Sequence, residues 1–215
     1  TKILISDQPG KFEFLKDTHL LEHIMPEFCP CFETPQNNPY HVYNVAGHIL
    51  KAVASIENKE VLRWTMLLHD IGKTTTRVTD EKGIDHFYGH EEESVRMSGN
   101  ILRRLKFDKK SIDIILRLIK HHDRPIEPDF KDVRKAASAV GEDIFEYLLR
   151  VKKADNEAQN PEICRDKLNN LKTISNIFQS IKEKHECLSI KDLEINGHDL
   201  IALGYRQGKE IGTVL

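Results

Sequence analysis

Leu67-Leu68-His69-Asp70-Ile71-Gly72-Lys73 is the stretch on which the reading of this sequence turns. An apolar run meets an adjacent His and Asp, then a glycine and a lysine. Neighbouring residues on a helix point about 100° apart. Near a helix end the two side chains can still reach one point, offering an imidazole nitrogen and a carboxylate oxygen to a hard-to-borderline cation. Taken alone, the pair reads more readily as a capping Asp beside a surface His. The helix carrying it spans about residues 59–71 through Leu62, Met66 and Leu67, and Gly72 stands where a left-handed C-cap residue belongs.

Working outward, helical periodicity dominates. Val42, Val45, Ile49, Val53 and Ile56 recur at steps of three and four and draw one apolar stripe, with Asn38 as cap and Pro39 in the first turn. His41, Asn44, His48 and Lys51 share a face opposite much of that stripe. A third helix, near 89–105, opens at His90. A fourth opens at Ser111 and runs through Ile112, Ile115, Leu116 and Ile119 into His121-His122-Asp123. A fifth covers 142–155 and ends on Asp155, and a long one runs from 162 to about 185. Five successive helices thus deliver His or Asp to a polar face or an end, a set that chance placement explains poorly.

The exception to helix lies between the second and third. The β-branched run Thr74-Thr75-Thr76-Arg77-Val78-Thr79, the turn Glu81-Lys82-Gly83 and then Ile84-Asp85-His86-Phe87 read as a small hairpin. The expected fold is therefore all-α, a helical bundle with one β-hairpin excursion. Loops are expected over 8–10, 29–39, 124–131 and 156–161. The closing segment Gly208-Lys209-Glu210-Ile211-Gly212-Thr213-Val214-Leu215 reads as the first turns of a helix cut short, as in a fragment of a longer chain.

The chain has 215 residues, enough for one domain or one and a half. Hydrophobic residues make up 39% and charged residues 31%, and the net charge of −2 excludes a histone-like or polybasic nucleic-acid binder. Basic clusters at Arg103-Arg104 with Lys106, at Lys109-Lys110, at Lys152-Lys153 and at Lys182 with Lys184 read first as solvated helix faces. No apolar run approaches the roughly 20 residues that span a bilayer, and the opening residues lack signal-peptide anatomy, so the expected location is cytoplasmic. The four cysteines, Cys29, Cys31, Cys164 and Cys187, fit neither a zinc ribbon nor a disulfide framework and read as reduced thiols.

The order His48, His69-Asp70, Asp155, with the seven-residue stretch at its centre, resembles the HD superfamily of metal-dependent phosphohydrolases. The resemblance implies an all-helical bundle whose core gathers His48, His69, Asp70 and Asp155 around a divalent cation. His90 and the pair His121-His122 resemble the subfamilies that hold two metals, with Asp70 as the bridge. Because adjacent His121 and His122 diverge by about 100° on a continuing helix, His122 is the preferred second-site ligand, and one metal or two both stay open. Leu20–Phe28, Gln36–Val45, Gly83–His90, Ile195–Gly204 and Gly208–Gly212 resemble the C-terminal body of bacterial CCA-adding tRNA nucleotidyltransferases. The sequence has no Gly-Ser-like loop followed by an Asp-x-Asp pair, so it should not add nucleotides on its own. Asn44 stands where that family usually has Asp, and Thr74 where Pro is common.

What the resemblance implies about chemistry is hydrolysis of nucleotides, or of RNA 2′,3′-cyclic phosphate or phosphomonoester ends, with one or two Mn, Fe, Ni, Co or Mg ions. Lys73 and Arg124 are placed to meet phosphoryl oxygens, His122 to protonate a leaving oxygen, and His41 to touch substrate. Lys73 also reads as a helix-terminal Lys facing the dipole. The competing expectation is a non-catalytic tRNA-binding body whose nucleotidyltransferase head is absent. The expected layout is an N-terminal helical segment over 1–35, a metal-binding domain over 36–160 and a C-terminal helical extension over 161–215. Nucleotide or tRNA is the expected partner, with no membrane; the oligomeric state is open.

Overall fold

The computed structural model describes residues 1–184, 197–206 and 208. The chain opens with a 3-10 turn at Pro9–Glu13, short helices α1 (Phe14–Asp17) and α2 (Leu20–Ile24), and a second 3-10 segment at Pro26–Phe32. Then come α3 (Val45–Ser55), α4 (Glu60–Leu68) and α5 (Lys73–Thr76), followed by strands β1 (Val78–Thr79) and β2 (Asp85–His86). The remainder is α6 (His90–Arg104), α7 (Lys109–His121), α8 (Phe130–Val140), α9 (Glu142–Glu157), α10 (Pro161–Glu183) and α11 (Gly197–Ala202). The fold is all-α with one two-stranded antiparallel excursion that pairs Val78 with His86 and Thr79 with Asp85.

Helix α4 lies at the centre, packed by α3, α7 and α9. Leu62, Met66, Leu67 and Leu68 are fully buried there against Ile49, Val53, Ile115, Leu118, Ile119 and Leu148. Every residue of α4 from Leu62 to Leu68 is buried, Arg63 and Thr65 included, so burial on all sides, not propensity, stabilises these nine residues as a helix. Phe28 roofs one end, edge-on to Phe12 and Phe32, and Phe145 meets Phe178 where α9 packs on α10. No helix among the described residues is long and apolar enough to cross a membrane.

Several local expectations are corrected. Helix α3 begins at Val45, not Pro39, because Asn44 is its cap: the side chain accepts from the Gly47 N–H at 2.8 Å while its amide donates to the Phe32 carbonyl at 2.7 Å. Val42 is accordingly exposed, and His48 lies on the buried stripe rather than opposite it. Gly72 is not left-handed. Its backbone is right-handed helical, and a Cβ there would collide with the His90 carbonyl and come within 2.6 Å of the Ser94 nitrogen. Thr74–Thr76, expected as strand, continue a helical turn in which the Thr74, Thr75 and Thr76 hydroxyls donate to the Ile71 and Gly72 carbonyls.

Of the expected loops over 8–10 and 29–39, residues 9–10 and 29–32 lie in 3-10 segments. Helix α8 was not foreseen: Asp129 caps it through the Asp132 N–H, and its buried face is Val133, Ala136, Ala137 and Val140. Helix α10 ends at Glu183, Cys29, Cys31 and Cys164 are unpaired, and Cys187, His185 and the segment from Lys209 onward lie outside the described residues.

Candidate metal centre

Three elements carry four side chains to one buried point. His48 comes from α3, His69 and Asp70 from the turn that ends α4, and Asp155 from the last turns of α9. Their ligand atoms lie within 4.8 Å of one another. His48 Nε2 is 2.9 Å from Asp155 Oδ1 and 3.4 Å from Asp70 Oδ2. His69 Nε2 is 3.3 Å from Asp70 Oδ2, 3.4 Å from Asp155 Oδ1 and 3.3 Å from His48 Nε2. Atoms bound to one cation at about 2.1 Å with angles of 90–109° stand roughly 3.0–3.4 Å apart, so the spacing is that of a shared ligand sphere.

The tautomers agree. His69 Nδ1 donates to the Met66 carbonyl at 2.7 Å, His90 Nδ1 to Phe87 at 2.9 Å, and His122 Nδ1 to Ile119 at 2.7 Å. Each ring thereby offers the Nε2 lone pair inward, as second-partner hydrogen bonding does for metal-binding histidines. Both oxygens of Asp70, 1% exposed, accept no well-directed hydrogen bond. An uncompensated buried carboxylate is costly, and this one has Lys73 Nζ 2.7 Å from Oδ2 as its ion-pair partner. Buried carboxylate oxygens facing imidazole lone pairs fit a divalent cation.

Without an ion the cluster holds a proton instead. Burial opposes a charge on His69, yet Asp70 and Asp155 outweigh it and push its pKa up to about 10. Burial likewise works to raise Asp70, but His69 and Lys73 hold it well below the usual carboxylate range. Asp155 is held low against its burial by the His48 and His69 rings. Its other oxygen accepts from Gln159 Nε2 at 2.9 Å.

A second group shares Asp70. His90 Nε2 and His122 Nε2 lie 3.4 and 3.5 Å from Asp70 Oδ1, on the side away from the first four ligands' shared oxygen. His121 is not in it. It is half-buried, one position around α7, and no metal-like grouping among the described residues includes it. Arg124 is half-buried, and its carbonyl accepts from the half-buried Lys152 Nζ at 2.7 Å, as the His122 carbonyl does. Arg124 is not among the residues that line the pocket above the centre.

That pocket, about 250 Å³, opens over Asp70, Asp155, His90 and His122. Lys73 stands on its wall with Nζ also 2.9 Å from Gln36 Oε1. His41 is there too, edge-on to His48 with centroids 4.9 Å apart and Nδ1 unpartnered. Burial, helped by Lys73 and His48, pushes the His41 pKa down to about 3, so its ring is neutral. The sequence reading missed Gln36, Asp123, Gln159 and Lys167. Asp123, directly after His121-His122, was the one with a visible signal; the others sit in stretches read as loop or as packing helix.

Among the basic clusters, Arg104 is paired with Glu27 at 2.6 Å and Lys182 with Glu146 at 2.9 Å, so neither presents a free cation.

The HD domain family matches residues 38–160, more than half of the chain. Among curated relatives, the Multifunctional CCA protein of Janthinobacterium sp. (strain Marseille) is 33% identical over 124 residues, 55% of this chain and 29% of its own length. The protein of the same name from Aromatoleum aromaticum is 31% identical over 124 residues, 55% of this chain and 30% of its own. That of Actinobacillus pleuropneumoniae serotype 5b is 29% identical over 130 residues, covering 56% and 31%. The chain thus spans about a third of the length of the curated relatives it matches.

Proposed function

The chain belongs to the HD domain family, and from that premise we propose that it is a divalent-metal-dependent phosphohydrolase acting on nucleotides or on RNA 2′,3′-cyclic phosphate or phosphomonoester ends. The observation that carries the reading is the buried His48, His69, Asp70 and Asp155 cluster, in which Lys73 pairs with Asp70 Oδ2 while Asp70 Oδ1 faces His90 and His122, beneath an open pocket. Those four residues would hold the first ion; Asp70, His90 and His122 would hold a second.

A bound Mn, Fe, Co, Ni or Mg ion would supply Lewis acidity toward a phosphoryl oxygen and a water acidic enough to attack it. The chain's own groups do the rest. Lys73 Nζ, fixed between Asp70 Oδ2 and Gln36 Oε1, meets a further phosphoryl oxygen as a point charge. The neutral His41 ring turns its unpartnered Nδ1 to the substrate as a hydrogen-bond partner. His122, its Nδ1–H committed to Ile119, can carry a proton on Nε2 toward a leaving oxygen when one metal is bound.

A second reading, a non-catalytic RNA-grasping body, draws on the name of the relatives and on the fraction of their length that the chain covers. The two separate in one assay: hydrolysis of bis(p-nitrophenyl) phosphate and of a 2′,3′-cyclic nucleotide with each metal added in turn. The enzyme reading expects turnover that Asp70→Ala abolishes. Silence with every metal, together with tRNA binding, overturns it in favour of the scaffold.

A further inference from the structure

The wall of the site on its hairpin side is built differently from the rest. A second cavity of about 410 Å³ adjoins the metal pocket and shares Asn38, Tyr40, His41, Lys73, His90 and Asp123 with it. Its far side is the β2 strand and the turn into α6, with His86, Phe87 and Tyr88 in sequence. Tyr88 is 76% exposed, the most exposed large hydrophobic side chain among the described residues. Its ring runs parallel to that of His86, 2° apart in plane with centroids 5.5 Å apart, an offset stack. His86 is in turn fixed by Asp80 Oδ2, 3.0 Å from its Nε2. The strand beneath is anchored by Asp85, which accepts from the Asn37 N–H at 2.8 Å and from Thr79 Oγ1 at 2.7 Å and pairs with Arg77 at 2.9 Å.

A large aromatic face left open to water, yet braced from behind, is poorly explained by hairpin stability. It gains little from burial where it stands. A flat exposed ring at the rim of a phosphate-sized pocket suits a flat partner carried by the same phosphate. We propose that Tyr88, backed by His86, is the stacking platform for the nucleobase of the substrate, and that the second cavity holds the nucleoside whose phosphate lies at Lys73 and the metal centre. This rests on the phosphohydrolase reading for the placement of the phosphate. The volume suits it, lying within the usual range of small-ligand pockets. Stacking on an aromatic side chain tolerates every base, so the site selects nucleotides as a class and discriminates weakly among them.

Binding of 2-aminopurine riboside 2′,3′-cyclic phosphate tests this, because the fluorescence of that base is quenched on stacking. The cyclic ester and its hydrolysis product carry the same base, so the signal reports stacking whether or not turnover occurs. Titration with the wild-type chain in Mg²⁺ is expected to quench the probe, and inorganic phosphate to reverse the quench. Tyr88→Phe keeps it. Tyr88→Ala and Tyr88→Leu lose it and weaken binding about tenfold or more, with circular dichroism unchanged because the side chain is exposed. Quenching and affinity equal in wild type and Tyr88→Ala overturn the platform, as does a wild type that never quenches. Tyr88-dependent quenching without hydrolysis would sink the phosphohydrolase reading and leave the base site standing; hydrolysis indifferent to Tyr88 would do the reverse.

Discussion

At the scale of single residues, the centre is made by what is left unpaired as much as by what is paired. Three histidines spend Nδ1 on a carbonyl three residues earlier, which aims Nε2 at Asp70 or its neighbours. These residues are readable in the sequence because His and Asp recur at helix ends, and the resemblance supplies their grouping. The reason for Gly72 was not readable. A glycine after a helix suggests a left-handed cap, whereas here it lets α5 and α6 approach until the Gly72 N–H donates to Ser94 Oγ at 2.9 Å. That contact is between segments far apart in sequence, so no local pattern announces it. Gly72→Ala places a methyl against the His90 carbonyl and the Ser94 nitrogen, both backbone. We expect about 1–3 kcal/mol of destabilisation, seen as a lower denaturation midpoint, together with weaker metal binding because His90 must move. An unchanged midpoint would mean that α6 yields freely.

At the scale of elements, long apolar periods were legible and their ends were not. Helices α4, α7, α9 and α10 follow runs of Leu, Ile and Phe that any burial argument finds, whereas α6 buries His90, Ser94, Ser98 and Gly99 before Ile101 and Leu102. Helix α8 escaped because its buried face is two valines and two alanines, too small to stand out, although the Asp129 cap was in view. The start of α3 was misplaced because Asn38-Pro39 and Asn44 are both good caps. Only the Phe32 carbonyl, accepting from Asn44, decides between them. The hairpin was legible as a turn, while its anchoring on Asp85 was not. Burial works to raise the Asp85 carboxyl, but the Asn37 N–H, Thr79 and Arg77 outweigh it and hold it below the ordinary value. A carboxylate with a depressed folded pKa stabilises the protein above its unfolded pKa, and that stabilisation is lost as pH falls through the folded value. Asp85→Asn should therefore melt below wild type at pH 7. The gap should narrow as pH falls below about 3.8, near the unfolded value. A gap independent of pH over that span would show that the charge of Asp85 contributes nothing.

At the scale of the molecule, the centre is enclosed from outside the stretch that matches the HD domain. Helix α10 brings Lys167 to the pocket wall, with Nζ 3.3 Å from Gln159 Oε1, and Cys164 Sγ donates to the same oxygen at 3.1 Å. Gln159 then donates to Asp155, so the packing of α10 on α9 bears on a carboxylate of the buried cluster. The two groups meeting at Asp70 set the expected metal count: two ions per chain in protein prepared without chelator, falling to one in His90→Ala. A count of one, unaltered by that substitution, would leave His90 as a pocket residue. Both groups of the centre meet at Asp70, whose two oxygens face them. The most direct measurement is elemental analysis of wild type and Asp70→Asn after exposure to Mn, Fe, Co, Ni and Mg in turn. Asparagine keeps the shape and removes the charge, so the fold should persist by circular dichroism. At least one tightly held ion per wild-type chain, with none in Asp70→Asn, is the predicted result; no ion in wild type, or the same number in both, would contradict it.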